Sequence, residues 1–144
     1  MHEVLFRGKE VADGKWIEGF YSAEEYNPYS GEVEHIPRIQ IIGKCVSLGV
    51  IPETVGQYTG LTDKNGVRIF EGDICRFKRF NDICVGKIIF NVTTASFVMW
   101  SQSIVGAYGE KATHKMLLSV CDDIEVIGNI HDNPELLKGG EDNG

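Results

Sequence analysis

The chain has 144 residues, 42% of them hydrophobic and 24% charged, and a formal net charge of −7. That length suits one domain, or one domain with a small appendage, and the composition excludes a collagen-like or wholly disordered chain. No apolar run approaches the roughly 20 residues of a membrane-spanning helix, and an acidic chain repels phosphate backbones at long range, which argues against general nucleic-acid binding.

Seventeen glycines sit among short apolar runs, the punctuation of a turn-rich β protein. The runs Glu3–Val11 and Trp16–Tyr21 flank Asp13-Gly14, a hairpin signal, because a tight turn needs a positive φ that glycine adopts without steric cost. Residues 22–37, with Glu24, Glu25, Asn27-Pro28, Ser30-Gly31, Glu32 and Glu34, read as a surface loop. Arg38–Ile42 and Lys44–Ile51 read as short strands, and Pro52, lacking a ladder donor, ends the extended run. Stretches near 55–61 and 67–70 flank the turn Asp63-Lys64-Asn65-Gly66. After Glu71-Gly72-Asp73 come strands at Ile74–Phe80, Ile83–Phe90 and Ser96–Trp100. Residues 101–115 are polar and contain glycine, so they read as a long loop before the last strands, Met116–Val120 and Ile124–Ile130. Asp132-Asn133-Pro134 is a helix-start signature and predicts a short C-terminal helix with Gly139 as its stop. Residues 139–144 are expected to fray.

The acid lies at the two ends. Residues 1–54 carry 5 basic and 9 acidic side chains, residues 55–130 carry 8 of each, and residues 131–144 carry 1 and 4. Cys45, Cys75, Cys84 and Cys121 form no CxxC pair and do not cluster with His2, His35, His114 or His131, so free thiols are expected and no metal or other cofactor. The start Met1-His2-Glu3-Val4 lacks the basic and apolar regions of a signal peptide, and with the free thiols it points to a reducing cytoplasm.

Three groups of side chains merit a functional reading beside a structural one. Glu71 and Asp73 are spaced to share a strand face, as an acid–base pair requires. No nucleophile accompanies them, and the structural reading, a glycine bend with an aspartate capping backbone amides, is the favoured one. On a strand, Arg76 and Lys78 share one face while Cys75, Phe77 and Arg79 share the other. Arg76, Lys78 and Arg79 with the neighbouring phenylalanines could bind single-stranded nucleic acid, but three cations fall short of a domain-wide basic footprint, so a half-exposed strand with its charge on the wet side is favoured. Tyr21, Tyr26 and Tyr29 cluster in the acidic segment. Such tyrosines make protein contacts at low entropy cost, or they pack on their own domain, and the two readings stand level. No GxGxxG, P-loop or HExxH occurs.

One long string is specific. Pro52-Glu53-Thr54-Val55-Gly56-Gln57-Tyr58-Thr59-Gly60-Leu61, then Asp63-Lys64-Asn65-Gly66, then Ile69-Phe70-Glu71-Gly72-Asp73-Ile74, closely resembles the signature of the YopX family of phage and prophage proteins. The opening Phe6-Arg7-Gly8-Lys9 with Gly14-Lys15-Trp16 and Gly19-Phe20 is similar to that family's N-terminus. The ending Glu125-Val126-Ile127-Gly128-Asn129-Ile130 with Asn133-Pro134-Glu135-Leu136 is similar to its C-terminus. The resemblance implies a mainly β protein whose C-terminal part is an SH3-like β-barrel, and it supplies no catalytic residue. The expected organisation is an N-terminal β-rich part at 1–54 packed on a barrel at 55–138 that includes the short C-terminal helix, with a disordered tail at 139–144. The expected function is a non-enzymatic binding or assembly protein of phage origin that self-associates or takes a phage or host protein partner. The alternative is a nucleic-acid-associated factor acting through the basic strand.

Overall fold

The computed structural model describes residues 4–23, 25–34, 37–79, 82–105, 111–117 and 122–138. The expected tail, 139–144, lies outside them. The protein is mainly β, and its chain divides into two compact units, Met1–Tyr58 and Thr59–Gly144.

In the first unit, β1 (Phe6–Lys9) and β2 (Trp16–Ser22) form the hairpin expected around Asp13-Gly14. Gly14 has φ +71°, and Asp13 Oδ1 accepts a 2.9 Å hydrogen bond from the Lys15 amide. The acidic segment is a second hairpin where a loop was expected: β3 (Glu25–Asn27) pairs with β4 (Glu32–Glu34). Its tip is closed by Asn27, whose Oδ1 accepts from the Tyr29 amide at 2.9 Å, and by Gly31 at φ +73°. Its polar side chains hid it from a hydrophobicity pattern, since neither strand has an apolar alternation. The chain returns through β5 (Arg38–Ile41) and β6 (Ser47–Gly49), and a 3-10 turn (Pro52–Thr54) leads into β7 (Gly56–Thr62). The antiparallel order is β6-β5-β2-β1-β7. Among the described residues of this unit, Leu5, Ile39, Val50 and Tyr58 are the buried apolar ones. Gly19 is required by packing, since a Cβ there would lie 1.9 Å from the Gln40 carbonyl oxygen.

The end of β7, residues 59–62, belongs to the second unit; β7 pairs with β8 (Arg68–Phe70), and a five-stranded antiparallel sheet follows. Its strands are β9 (Asp73–Arg79), β10 (Asp82–Asn91), β11 (Ser96–Val105), β12 (Lys111–Leu117) and β13 (Asp122–Asn129). The order is β12-β11-β10-β9-β13: a four-strand meander whose fifth strand returns beside the first. Among the described residues no pairing joins β12 to β13, so the sheet is open. Most of the expected loop at 101–115 is strand, because β11 and β12 pair with each other there, Ser101 opposite His114 and Val105 opposite Lys111. Ile69, Cys75, Phe77, Cys84, Ile88, Met99 and Ile124 form the core cluster, with Phe97 and Val126 against it. Each large apolar side chain so buried contributes about 1.5–3 kcal/mol. The register explains the cluster: Phe77 faces Cys84 and Ile88 faces Met99. The C-terminal segment Pro134–Lys138 starts at the expected proline and ends before Gly139, but it is a 3-10 helix, and it packs on β10.

Candidate functional site

Most of the distinctive residues of the central string serve the backbone. Asp63 is 7% exposed and accepts three amide hydrogen bonds. Its Oδ1 takes Asn65 N at 2.8 Å and Val67 N at 2.9 Å, closing the turn, and its Oδ2 takes Val126 N of β13 at 3.0 Å. The Lys64 amide donates to the Ile124 carbonyl at 3.0 Å, and Gly66 holds φ +81°. Burial pushes the Asp63 carboxyl up, but the amides of Val126, Val67 and Asn65, with Lys64 nearby, overcome it and hold the group below the usual aspartate range.

The Glu71-Gly72-Asp73 bend has the same character. Gly72 has φ +91°, its amide donates to the Ile88 carbonyl, and its own carbonyl accepts from Ile130 N, both at 2.9 Å. Asp73 is 1% exposed and its Oδ2 accepts from the Phe70 amide at 2.7 Å. This geometry is what the structural reading requires: Asp73 is bound at the start of β9, and Glu71 precedes the strand. At the chain's end, Asn129 Oδ1 accepts from the amides of His131 (3.0 Å) and Asp132 (2.9 Å). Asn133 N donates to the Asn129 carbonyl at 2.9 Å. His131 and Asp132 therefore belong to a turn. Gly128 allows this closure, since a Cβ there would lie 2.6 Å from Asn133 Oδ1.

The basic strand is β9. Arg76 and Lys78 are exposed, and Cys75 and Phe77 are buried, as alternation requires. Arg76 is not available as an isolated cation. Its Nη2 donates to Glu125 Oε2, and Glu125 is its register partner on β13. Lys64 Nζ lies 3.6 Å from the same carboxylate oxygen. The Arg76 hydrogen bond, outweighing some desolvation and helped by Lys64, holds the Glu125 carboxyl below the usual glutamate range. The Arg79 side chain lies outside the described part of the structure. Register adds two residues that have no functional reading in the sequence, where Trp100 is a core candidate. Lys87 of β10 is opposite Trp100 of β11, with its ammonium 4.8 Å from a ring centroid of the indole. Residue pairing places Val85 beside Arg76 and Ile83 beside Lys78. The face that carries Arg76 and Lys78 thus also carries Val85, Lys87 and Trp100.

The tyrosines separate. Tyr21 lies on β2 with its ring centroid 5.1 Å from that of Phe6, so it is partly committed to packing. Tyr26 lies on β3 opposite Val33, and its side chain is outside the described part. Tyr29 stands at the tip of the β3–β4 hairpin, 99% exposed. From Trp16 to Pro37 the chain has five glutamates and no lysine or arginine, so this tyrosine is presented on an acidic arm.

Among the described residues no group of three metal-ligating side chains occurs. Cys75 and Cys84 are buried free thiols and Cys45 an exposed one, while Cys121 lies outside the described residues. No helix among the described residues is long and apolar enough to cross a membrane.

No curated protein matches the chain. The crystal structure of protein EF1440 from Enterococcus faecalis is 24% identical, with a TM-score of 0.49 over 95% of this chain and 99% of that one. The family model described as YopX protein matches residues 5–138. The match spans the Asp63 turn, the Gly72-Asp73 bend and the Asn129 closure, and the chain belongs to the YopX family.

Proposed function

We propose that this is a non-enzymatic binding or assembly protein of the phage and prophage kind, working in the bacterial cytoplasm and associating with itself or with a phage or host protein. One observation carries the reading. The residues that mark the family are spent on amide hydrogen bonds and bends, as at Asp63, Gly72, Asp73 and Asn129, while a fully exposed tyrosine is held out on an ordered acidic hairpin. A tyrosine, with only two side-chain torsions to order, loses little entropy on docking. The SH3-like relation belongs to this proposal. The order β12-β11-β10-β9-β13 supports it, because a fifth strand returned beside the first is what a small barrel needs before its outer strands curl toward each other.

The test is self-association by light scattering, alongside affinity capture from induced lysogens with the full chain. Tyr29→Ala is expected to lose the associated species or the captured protein while keeping the circular dichroism of the parent. A monomer that captures nothing overturns the proposal.

A second reading, a nucleic-acid-associated factor, is favoured by one observation: Lys87 and Trp100 lie on the same sheet face as Arg76 and Lys78. Electrophoretic mobility shift at low salt tests it. Lys78→Glu with Lys87→Glu is expected to abolish the shift, and no shift at tens of micromolar protein counts against it, since non-specific contacts alone reach a Kd of about 10⁻⁴–10⁻⁶ M.

A further inference from the structure

The first unit carries a surface that neither reading uses. β2 lies between β1 and β5, so its side chains are central in that sheet. Directly opposed residues share a face. The register therefore puts Trp16, Glu18 and Phe20 of β2 on one side with Arg7 and Lys9 of β1 and Arg38 and Gln40 of β5. Ile17, Ile39 and Ile41 point the other way. On a half-solvated sheet the water side is normally polar, yet here Phe20 is 55% exposed. Trp16, further along the same strand, has the Arg7 guanidinium 4.7 Å and the Lys9 ammonium 5.4 Å from its ring. At the other end, Arg38 is fixed by Ser47, donating from Nη2 to the carbonyl at 2.6 Å and from Nε to Oγ at 3.1 Å.

The charge on this face runs against that of its segment. Residues 1–54 are net acidic, yet Lys9 and Arg38 gather here with Arg7, whose Nε and Nη2 are themselves buried, against one carboxylate, Glu18. An exposed ring between fixed cations fits a ligand made of flat apolar faces joined by anions.

We propose that the solvent side of β1, β2 and β5 is a stacking platform for single-stranded nucleic acid. Phe20 takes an unpaired base on its ring, and Lys9 and Arg38, opposite Trp16 and Ser22 on either side of it, take flanking phosphates. The ligand is single-stranded because a paired base has no free face to offer. Duplex nucleic acid shares the phosphates but not the free base.

The experiment is fluorescence anisotropy of a labelled oligothymidylate with the full chain at low salt. The parent binds, and a duplex of the same length binds more weakly. Phe20→Leu keeps the apolar bulk and removes the ring, and it weakens binding roughly 5- to 160-fold, the range for loss of one stacked base. Phe20→Trp restores it. Lys9→Glu lowers the slope of log affinity against log salt by about 0.7, as expected for one lost phosphate contact. Photo-crosslinking of a bromodeoxyuridine oligonucleotide to the unaltered chain marks the tryptic peptide Trp16–Arg38 and needs no variant to fold. Absence of binding at tens of micromolar protein overturns the proposal, as does equal binding by Phe20→Leu. Binding lost in Lys78→Glu with Lys87→Glu, with crosslinks on β9 to β11, overturns it too and assigns the site to the second sheet.

Discussion

At the scale of single residues, Asp63 and Gly72 give the sharpest expectations. Asp63 holds three amides in a nearly buried site, so Asp63→Asn, which turns a carboxamide NH2 toward the Val126 amide or toward those of its own turn, is expected to cost about 1–3 kcal/mol in urea denaturation. The pH dependence has a definite sign. The folded Asp63 carboxyl titrates below its unfolded value, with the Val126, Val67 and Asn65 amides outweighing the upward push of burial. Its stabilisation is therefore complete above the unfolded aspartate pKa of about 3.9 and is lost as pH falls through the lower folded value. The parent's acid limb should accordingly be steeper than that of Asp63→Asn. Gly72→Ala isolates a different cause. A Cβ there meets nothing nearer than 3.8 Å, so the cost, about 1–3 kcal/mol, comes from φ +91° alone. The turn chemistry was legible in the sequence because Asp-x-Asn-Gly states it within four residues. That Asp63 also reaches Val126 was not, since that partner is 63 positions away and sequence spacing carries no trace of it.

At the scale of elements, the register decides what β9 can do. Alternation along Cys75–Lys78 separates core from solvent correctly, because it depends only on the pleat. The Glu125 carboxylate beside Arg76 depends on β13 returning to β9, which a local pattern cannot show. For the same reason Lys87 and Trp100 escaped notice: each is unremarkable on its own strand, and they meet only through the β10–β11 pairing. The β3–β4 hairpin and the paired ends of β11 and β12 escaped for another reason. Their residues are largely polar, and strand signals read from hydrophobicity fade when neither face is apolar. The Arg76–Glu125 pair is exposed, so a double-mutant cycle of Arg76→Ala and Glu125→Gln should give a coupling of only about 0.2–1 kcal/mol that shrinks with salt. Glu125→Gln has a second consequence. It leaves Arg76 without its carboxylate, so under the second-sheet reading it should raise oligonucleotide affinity, whereas binding on the first sheet should not change. Mobility shift of this one variant thus discriminates between the two surfaces.

At the scale of the whole molecule, the question is how a β protein with open sheets avoids indiscriminate pairing through its edges. In the second unit β13 is an outer strand, yet the Lys64 amide donates to its Ile124 carbonyl and Asp63 Oδ2 accepts from its Val126 amide. The Asp63 turn therefore occupies the edge as well as shaping the chain. If that edge is guarded in this way, specific association falls to side chains such as Tyr29, and edge pairing is what appears when the guard fails. Protonation of Asp63 weakens its hold on the Val126 amide, as does Asp63→Asn. Static light scattering from neutral pH down through the lowered Asp63 titration, below the unfolded aspartate value of about 3.9, should show the parent gaining scattering as Asp63 protonates. Asp63→Asn should aggregate already at neutral pH, in proportion to protein concentration, and Tyr29→Ala should leave the acid aggregation of the parent unchanged. Equal scattering from the parent and Asp63→Asn at neutral pH would show that the Asp63 turn shapes the chain without protecting its edge.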